Sequence, residues 1–334
     1  MLTPMRVLHV GLGPLGVRVQ SDLAARPELR TVAAVDVDPA LAGRALGELV
    51  PGAPADVLVA PGLEAVDWEA VDVALLTTSS DLARCAPTLR ALLARGVSVV
   101  SSCEELLWPW LRHPELAREL DALAREHGAA LVGTGVNPGF VMDALPAFLS
   151  AAALRVDALR VERIQDATTR RVPFQQKIGA GLDLSAFHEK VADGSLRHVG
   201  LGESLHFLAA ALGWTIEDWS ETLEPVLAER DLECALGPIH AGAPCGVRQT
   251  ARARVDGRER MQFEFVAAIG QPEPRDRVVL ESDPPLELVI PGGVHGDRAT
   301  SAVLLNCLGP IADAAPGLAT MADLRMPSCR RGTT

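Results

Sequence analysis

Residues 6–16 read as a short apolar strand that runs straight into Gly-x-Gly-x-x-Gly and then a helix: Val7, Leu8 and Val10 lead into Gly11, Leu12, Gly13, Pro14, Leu15 and Gly16. No other stretch constrains the fold as tightly. Gly11 permits the sharp bend and Gly13 lets bare backbone approach a phosphate. Gly16 lets the helix lie close on the strand, and the helix start offers unbonded N–H groups at the positive dipole end. A second apolar strand, 31–35, ends at Asp36, about twenty residues past the last glycine, where a carboxylate meets an adenosine ribose. A glycine triplet alone also serves plain strand-to-helix turns. Strand, glycines and Asp36 together predict a dinucleotide held by residues 11–16 and Asp36.

From residue 6 to about residue 145, apolar strands alternate with helical stretches. A helix start is expected at Asp38-Pro39-Ala40, with proline in the first turn. The strand 71–76 ends in Thr77, Thr78, Ser79 and Ser80, and a helix opens at Asp81. In an open parallel sheet ligands sit beyond the carboxyl ends of the strands, so Thr77 and Thr78 are candidates for cofactor contact. Helix capping is the competing role for these hydroxyls, with Ser80 the better cap. The strand 96–100 runs into Ser101-Ser102-Cys103-Glu104-Glu105, followed by a helix. The strand 129–132 runs into Gly133-Thr134-Gly135-Val136-Asn137-Pro138-Gly139-Phe140, a glycine content that suggests backbone shaped around a ligand. These alternations predict an α/β fold with a Rossmann-type, doubly wound parallel sheet.

Beyond residue 145 the pattern changes. Residues 159–164 alternate like a half-buried strand, 183–229 read as mostly helical, and two strands flank the hairpin signal Asp256-Gly257. Met261, Phe263 and Phe265 share one face of the second strand, and 278–280 and 286–290 are further strand candidates. We divide the chain into a dinucleotide-binding domain (1–145), an α+β substrate and dimerisation domain with a mixed or antiparallel sheet (146–290), and a C-terminal segment (291–334). The last carries a helix from about Arg298 to Leu308 that packs back toward the cleft, then a loose tail from Arg330 to Thr334.

The 334 residues carry a formal net charge of -12, 4% aromatic residues and no tyrosine. That balance argues against nucleic acid, anionic membranes and stacking platforms for single strands. No apolar run reaches membrane-spanning length, and residues 1–5 have no charged-then-apolar leader pattern. Six scattered cysteines with no Cys-x-x-Cys pair point to reduced thiols, hence a cytoplasmic location, and not to zinc. No carboxylate–histidine cluster has metal-ligand spacing.

Glu104 is the candidate for the chemistry. It follows a sheet strand on the ligand side, where the nicotinamide end of a dinucleotide reaches. Desolvation there makes a carboxylate a stronger base, able to take a proton from an amine or water or to stabilise an iminium. First-turn helix acids are the competing reading of Glu104 and Glu105. Trp108, one turn later, either walls the pocket or packs in the core. His295, in a glycine-rich turn before a helix, is placed to touch substrate or shuttle a proton, or is a surface turn residue. Asp36 and Asp38 repel an adenosine 2′-phosphate and no arginine directly follows them, which favours NAD; Arg44 leaves NADP open.

The Gly11–Gly16 turn, Ser101–Glu105, Gly133–Phe140, Arg170-Arg171 with Gln176-Lys177-Ile178-Gly179, and Gly292–Thr300 together span nearly the whole chain. As a set they resemble the 2,4-diaminopentanoate dehydrogenase family, which includes the native amine dehydrogenases and whose first domain is similar to that of dihydrodipicolinate reductase. The resemblance implies NAD(P)-dependent oxidative deamination of an amine, or reductive amination of a ketone or aldehyde with ammonia. The family's catalytic glutamate maps onto Glu104, with Glu105 the fallback if the register slips. Asn137 falls where it reaches the nicotinamide. Phe140, Val141 and Met142 would line the substrate pocket, with Phe174 closing it from the second domain. Arg163 and His295 are candidates to hold a substrate carboxylate, and if Arg163 points away, simple ketones and amines are favoured. A homodimer is also implied. The paired histidines and Lys-Pro-Ser-Gly-Thr signature of true dihydrodipicolinate reductases are missing, which rules that activity out. The alternatives are 2,4-diaminopentanoate dehydrogenase proper, another NAD(P)-dependent oxidoreductase on this scaffold, and a dinucleotide-sensing protein without turnover.

Overall fold

A computed structural model describes residues 3–170 and 172–329; Arg171 and the tail expected at 330–334 lie outside them. In chain order the strands are β1 (Met5–Val10), β2 (Leu29–Val35), β3 (Val59–Ala60), β4 (Val73–Leu76), β5 (Ser98–Ser101), β6 (Ala130–Gly133), β7 (Arg155–Asp166), β8 (Asp218–Leu227), β9 (Leu232–Cys234), β10 (Gly237–Ile239), β11 (Pro244–Val255), β12 (Arg258–Ala268), β13 (Arg275–Asp283), β14 (Leu286–Pro291) and β15 (Gly317–Ala319). The helices are α1 (Pro14–Ala24), α2 (Leu46–Leu49), α3 (Leu82–Leu93), α4 (Pro114–Glu126), α5 (Ala144–Leu149), α6 (Val172–Lys177), α7 (Leu184–Ala192), α8 (Leu201–Ala211) and α9 (Gly296–Ala312). The chain divides into two compact units, one within Met1–Phe140 and His295–Thr334, the other Val141–Val294.

The first unit is built on a seven-stranded sheet in the order β15-β6-β5-β4-β1-β2-β3, every pair parallel. Strand order reverses between β1 and β4, which opens the crevice where doubly wound sheets take their ligands. Both faces must be covered, so the strands are near-continuous apolar runs: Val73 to Leu76 and Ala130 to Gly133 are buried throughout. Helix α1 meets the sheet with Gly16, Val19, Gln20 and Leu23, a stripe at helical spacing. Helix α9 packs on α1 and on β4, β5 and β6, so the late part of the chain completes the early sheet.

The second unit carries a mixed six-stranded sheet, β14-β13-β7-β12-β11-β8, with β7 and β12 parallel and the other neighbours antiparallel, and a separate β9–β10 ribbon. The β11–β12 hairpin turns at Asp256 and Gly257, with φ of 50° and 71°, the two positive values a twisted two-residue turn demands. Met261, Phe263 and Phe265 are buried, whereas Gln262 and Glu264 are half-buried.

Some local expectations need correction. The span 183–229 is not mostly helical, since Asp218–Leu227 is a strand. Trp219, Glu221, Leu223 and Pro225 are half-buried against exposed Asp218, Ser220, Thr222 and Glu224, a period of two that its Trp and Leu had disguised. Pro39 opens no helix: Asp38 Oδ1 accepts from Ala40 N, and turns continue until Leu46. The cap of α3 is Asp81, which accepts from Arg84 N, and not Ser80. The stretch after Cys103 forms two short tight helices, Glu104–Leu107 and Pro109–Leu111, and not one longer helix, because Pro109 interrupts it.

Candidate active site

The glycine turn follows β1 directly. Gly11 adopts φ +95° and its N–H donates to the carbonyl of Val35 at 2.8 Å. A Cβ on Gly16 would collide with the Gly11 carbonyl, so this helix can approach the turn only with glycine there. Gly13 is the N-cap of α1, and a Cβ built on it meets no atom of the described residues within 4 Å. Among the described residues no side chain caps that helix, and Pro14 fills its first position. The backbone at Leu12 to Gly16 therefore presents open space and first-turn N–H groups to an anion. Asp36 leaves β2 with both oxygens engaged: Oδ2 accepts from Leu12 N at 2.5 Å and Oδ1 from Asp38 N at 2.8 Å. The carboxylate thus ties the β2 exit to the glycine turn, and its position is set before any ligand arrives.

Beneath the turn runs a buried polar chain that sequence reasoning missed. Thr77 Oγ1 donates to the Gly11 carbonyl at 2.7 Å and lies 3.0 Å from His9 Nε2; His9 Nδ1 lies 2.9 Å from Gln20 Oε1, and the Gln20 amide reaches Thr31 Oγ1 at 2.8 Å. His9, Gln20 and Thr31 are fully buried. Burial pushes the His9 imidazole down to about 4, against the opposing pull of the Gln20 hydrogen bond and Asp36, so the ring is neutral near pH 7. The expectation that Thr77 offers its hydroxyl to the cofactor is corrected: that hydroxyl points inward and supports the turn. Thr78 is exposed at the same strand end, its hydroxyl 3.7 Å from Cys85 Sγ.

At the end of β5 the two adjacent acids part ways. Glu105 is buried, and its Oε2 accepts from Leu82 N at 2.9 Å and lies 2.9 Å from His113 Nε2. It caps the first turn of α3 and joins it to the segment before α4. Glu104 is half-buried at the head of its tight helix, on the carboxyl side of the parallel sheet, with Oε2 itself buried. Trp108 is half-buried and stacks edge-on against Trp110, ring centroids 4.8 Å apart; Trp110 packs on the core.

One strand further along, the turn after β6 is fastened at both ends. Thr134 N donates to the Ser101 carbonyl at 2.8 Å and Val136 N to Thr300 Oγ1 at 3.3 Å. Gly139 adopts φ +128°, and a Cβ there would strike the Gly135 backbone and Thr134 Oγ1. Asn137 is half-buried with Oδ1 buried, and Phe140 is half-buried. Ser101 also accepts from Cys103 N through its hydroxyl at 3.1 Å. This one residue therefore holds both the turn that carries Asn137 and the turn that carries Glu104.

In the second unit Val141 and Met142 are buried, and Asp143 caps α5 while accepting from the Ser204 hydroxyl at 2.6 Å. Phe174 is half-buried with the Arg170 guanidinium 4.1 Å above its ring. The reading of Arg163 as a receptor for a substrate carboxylate is corrected. It is 1% exposed, with Nη1 donating to Asp276 Oδ1 at 2.6 Å and Nη2 to the Val294 carbonyl at 2.9 Å. Asp276 Oδ2 takes the N–H of the same Val294 at 2.6 Å. The pair holds Val294 through both its N–H and its carbonyl. Burial lowers the Arg163 guanidinium from its ordinary range, against the Coulomb pull of Asp276. His295 is exposed and is the N-cap of α9, its Nδ1 accepting from Arg298 N at 3.5 Å.

Comparison with known proteins follows the same lines. Residues 140–334 match the 2,4-diaminopentanoate dehydrogenase C-terminal domain model. The chain is 28% identical to 2,4-diaminopentanoate dehydrogenase of Acetoanaerobium sticklandii, over 98% of this chain and 95% of that one. It is also 28% identical to an amine dehydrogenase of Streptomyces virginiae, over 94% of each. Among solved structures it is similar to an amine dehydrogenase from Mycobacterium smegmatis, with a TM-score of 0.85 and 25% identity over 99% of both chains. A dipicolinate-bound dihydrodipicolinate reductase from Paenisporosarcina sp. TG-14 shares the fold at 13% identity, with a TM-score of 0.52 over 96% of this chain and 99% of that one.

Proposed function

The chain belongs to the 2,4-diaminopentanoate dehydrogenase family, and from that premise we propose that it is an NAD(P)-dependent amine dehydrogenase with Glu104 as its proton-transfer group. The observation that carries the assignment of Glu104 is the separation of the two acids. Glu105 spends its carboxylate on Leu82 N and His113, and Glu104 stands at the carboxyl end of β5 on the side of the sheet that carries the glycine turn. The uncapped start of α1 and the open space at Gly13 fit a dinucleotide pyrophosphate. Asp36 fits a ribose with a free 2′-hydroxyl, which favours NAD over NADP, and Asn137 faces the nicotinamide end. When bound, the nicotinamide exchanges a hydride with the substrate carbon.

The chain's own part is proton handling. In the aminating direction ammonia adds to the ketone or aldehyde carbonyl. Glu104 takes a proton from the adding nitrogen and passes it to the oxygen, giving the carbinolamine. A second proton, the one that ammonium gave up on becoming ammonia, reaches the same oxygen through Glu104, so that water leaves and an iminium forms. A carboxylate held in a partly desolvated setting performs both transfers and favours the cation that results. In the reverse direction the same group takes a proton from the protonated amine, and the neutral amine then gives up hydride to become the iminium. With Arg163 committed to Asp276 and Val294, the substrate is an amine or ketone whose recognition does not run through that guanidinium. We place the protein in the cytoplasm as a homodimer, on its reduced cysteines and the family resemblance.

The test is a panel of ketones and aldehydes with ammonium and either NADH or NADPH, followed by absorbance of the reduced cofactor. Oxidation of NADH that requires both ketone and ammonium supports the reading. Glu104→Gln should lower turnover at least about 100-fold, the lower range of general acid–base catalysis, while NADH still binds. Near-full turnover in that variant would remove Glu104 from the mechanism.

A further inference from the structure

The turn that carries Glu104 is laced to the loop before α3. Cys103 Sγ donates to the Ser80 carbonyl at 3.3 Å, and Glu105 N donates to the same carbonyl at 3.3 Å. Glu105 Oε2 takes Leu82 N from the first turn of α3, and His113 Nε2 approaches the same oxygen from the segment before α4. The residues on either side of Glu104 are therefore fixed to one carbonyl. The lacing includes the carboxylate of Glu105, which is 8% exposed. A buried carboxylate is a costly way to cap a helix that Asp81 already caps through Arg84 N. Such expense buys rigidity in the two-residue segment on which the proton-transfer group is mounted.

We propose that Glu105 is a positioning residue for the amination reaction: with His113 and the start of α3 it holds the Glu104 carboxylate in its working place. This rests on Glu104 being the proton-transfer group. Displacement of a reacting group by about 1 Å costs on the order of 100-fold in rate, so loosening this turn should appear in kcat and not in cofactor binding. Glutamine at 105 can keep both bonds. Its carbonyl oxygen can stand where Oε2 stands and accept from both Leu82 N and His113 Nε2–H.

The experiment compares Glu105→Ala, Glu105→Gln and Glu104→Gln as full-length proteins, with NADH affinity from fluorescence titration and kcat and KM from ketone amination. Glu105→Ala should lose about 10- to 100-fold in kcat, with NADH affinity within about two-fold of the parent, and Glu105→Gln should recover most of the loss. The acidic limb of the pH–rate profile should move in Glu105→Ala and stay in place in Glu105→Gln. The proposal is overturned if Glu105→Ala binds NADH and keeps full kcat, or if Glu105→Gln is as impaired as Glu105→Ala, since Glu105 would then act by its own charge. If Glu105→Ala does not bind NADH, His113→Ala decides: a several-fold lower kcat at unchanged NADH affinity supports positioning, and an unchanged kcat refutes it. An active Glu104→Gln refutes the parent reading instead, so the two failures are separable.

Discussion

The Thr77 hydroxyl donates to the Gly11 carbonyl at 2.7 Å while lying 3.0 Å from His9 Nε2. A residue that looked like a ligand contact is thereby a strut between the core of the sheet and the turn beside which the dinucleotide is proposed to sit. Thr77→Val keeps the shape and removes the donor, leaving the Gly11 carbonyl and the imidazole without this partner. We expect a loss of about 1–3 kcal/mol in urea unfolding and weaker NADH binding, whereas Thr78→Val, at an exposed site, should leave stability within about 0.5 kcal/mol.

The buried imidazole makes stability depend on acid. The His9 pKa falls to about 4 in the folded protein through burial, against about 6.5 in the unfolded chain. Above 6.5 both states hold the ring neutral. Below it the unfolded state takes up a proton that the folded state refuses, so stability falls as pH drops from 6.5 through 4. The loss from this residue is about 3 kcal/mol at most. His198, lowered to about 3 chiefly by burial and then by Lys177, acts with the same sign. Urea midpoints measured across this window should decline, and His9→Asn should flatten part of the slope.

Arg163 and Asp276 form a buried pair whose partners are used up on Val294. Removing one member strands the other, so Arg163→Met or Asp276→Asn should each cost about 3–5 kcal/mol. Calorimetry checks this. The preference between carboxylated and uncharged substrates should not shift in whatever folded protein remains; a shift confined to Arg163→Met would restore that residue to substrate binding.

Asp36 is held by Leu12 N and Asp38 N, so its charge sits at a fixed place beside the turn. Asp36→Ser should raise the NADPH-to-NADH ratio of kcat/KM at least about ten-fold, by removing repulsion of a 2′-phosphate. An unchanged ratio would show that this carboxylate does not face the ribose.

Gly16 tolerates no side chain, because a Cβ there meets the Gly11 carbonyl. Gly16→Ala should lower NADH affinity more than ten-fold. By contrast Gly13→Ala, where a Cβ meets nothing within 4 Å, should fold normally and weaken NADH only if ligand occupies that space.

The parallel sheet was legible because β4 and β6 are unbroken apolar runs, and β1 is apolar apart from Arg6 and His9, each followed by glycine or hydroxyl residues, as burial on both faces requires. The β11–β12 hairpin was legible from Asp256-Gly257 for an equally local reason. What stayed hidden depends on contacts between residues far apart in sequence. Arg163 and Asp276 are separated by 113 positions, and nothing local distinguishes a guanidinium that meets a substrate from one that meets an aspartate. Thr77 looked like a ligand contact since its strand end is a ligand position, but its rotamer follows from His9, 68 residues earlier. Glu104 and Glu105 were chemically alike in the sequence; Leu82 and His113 told them apart. Strand β8 was misread because its half-buried face carries Trp219, Glu221, Leu223 and Pro225, too mixed to show its alternation.

Strand β15 and helix α9 belong to the sheet begun by β1, yet the whole of Val141–Val294 is synthesised before them. A nascent chain leaving the ribosome must therefore carry the β6 edge and the part of α1 that packs on α9 uncovered until residues 296–319 have emerged. Expression should accordingly be sensitive to chaperone supply and to premature stops anywhere upstream of residue 319, because a bare parallel edge invites pairing with a neighbouring chain.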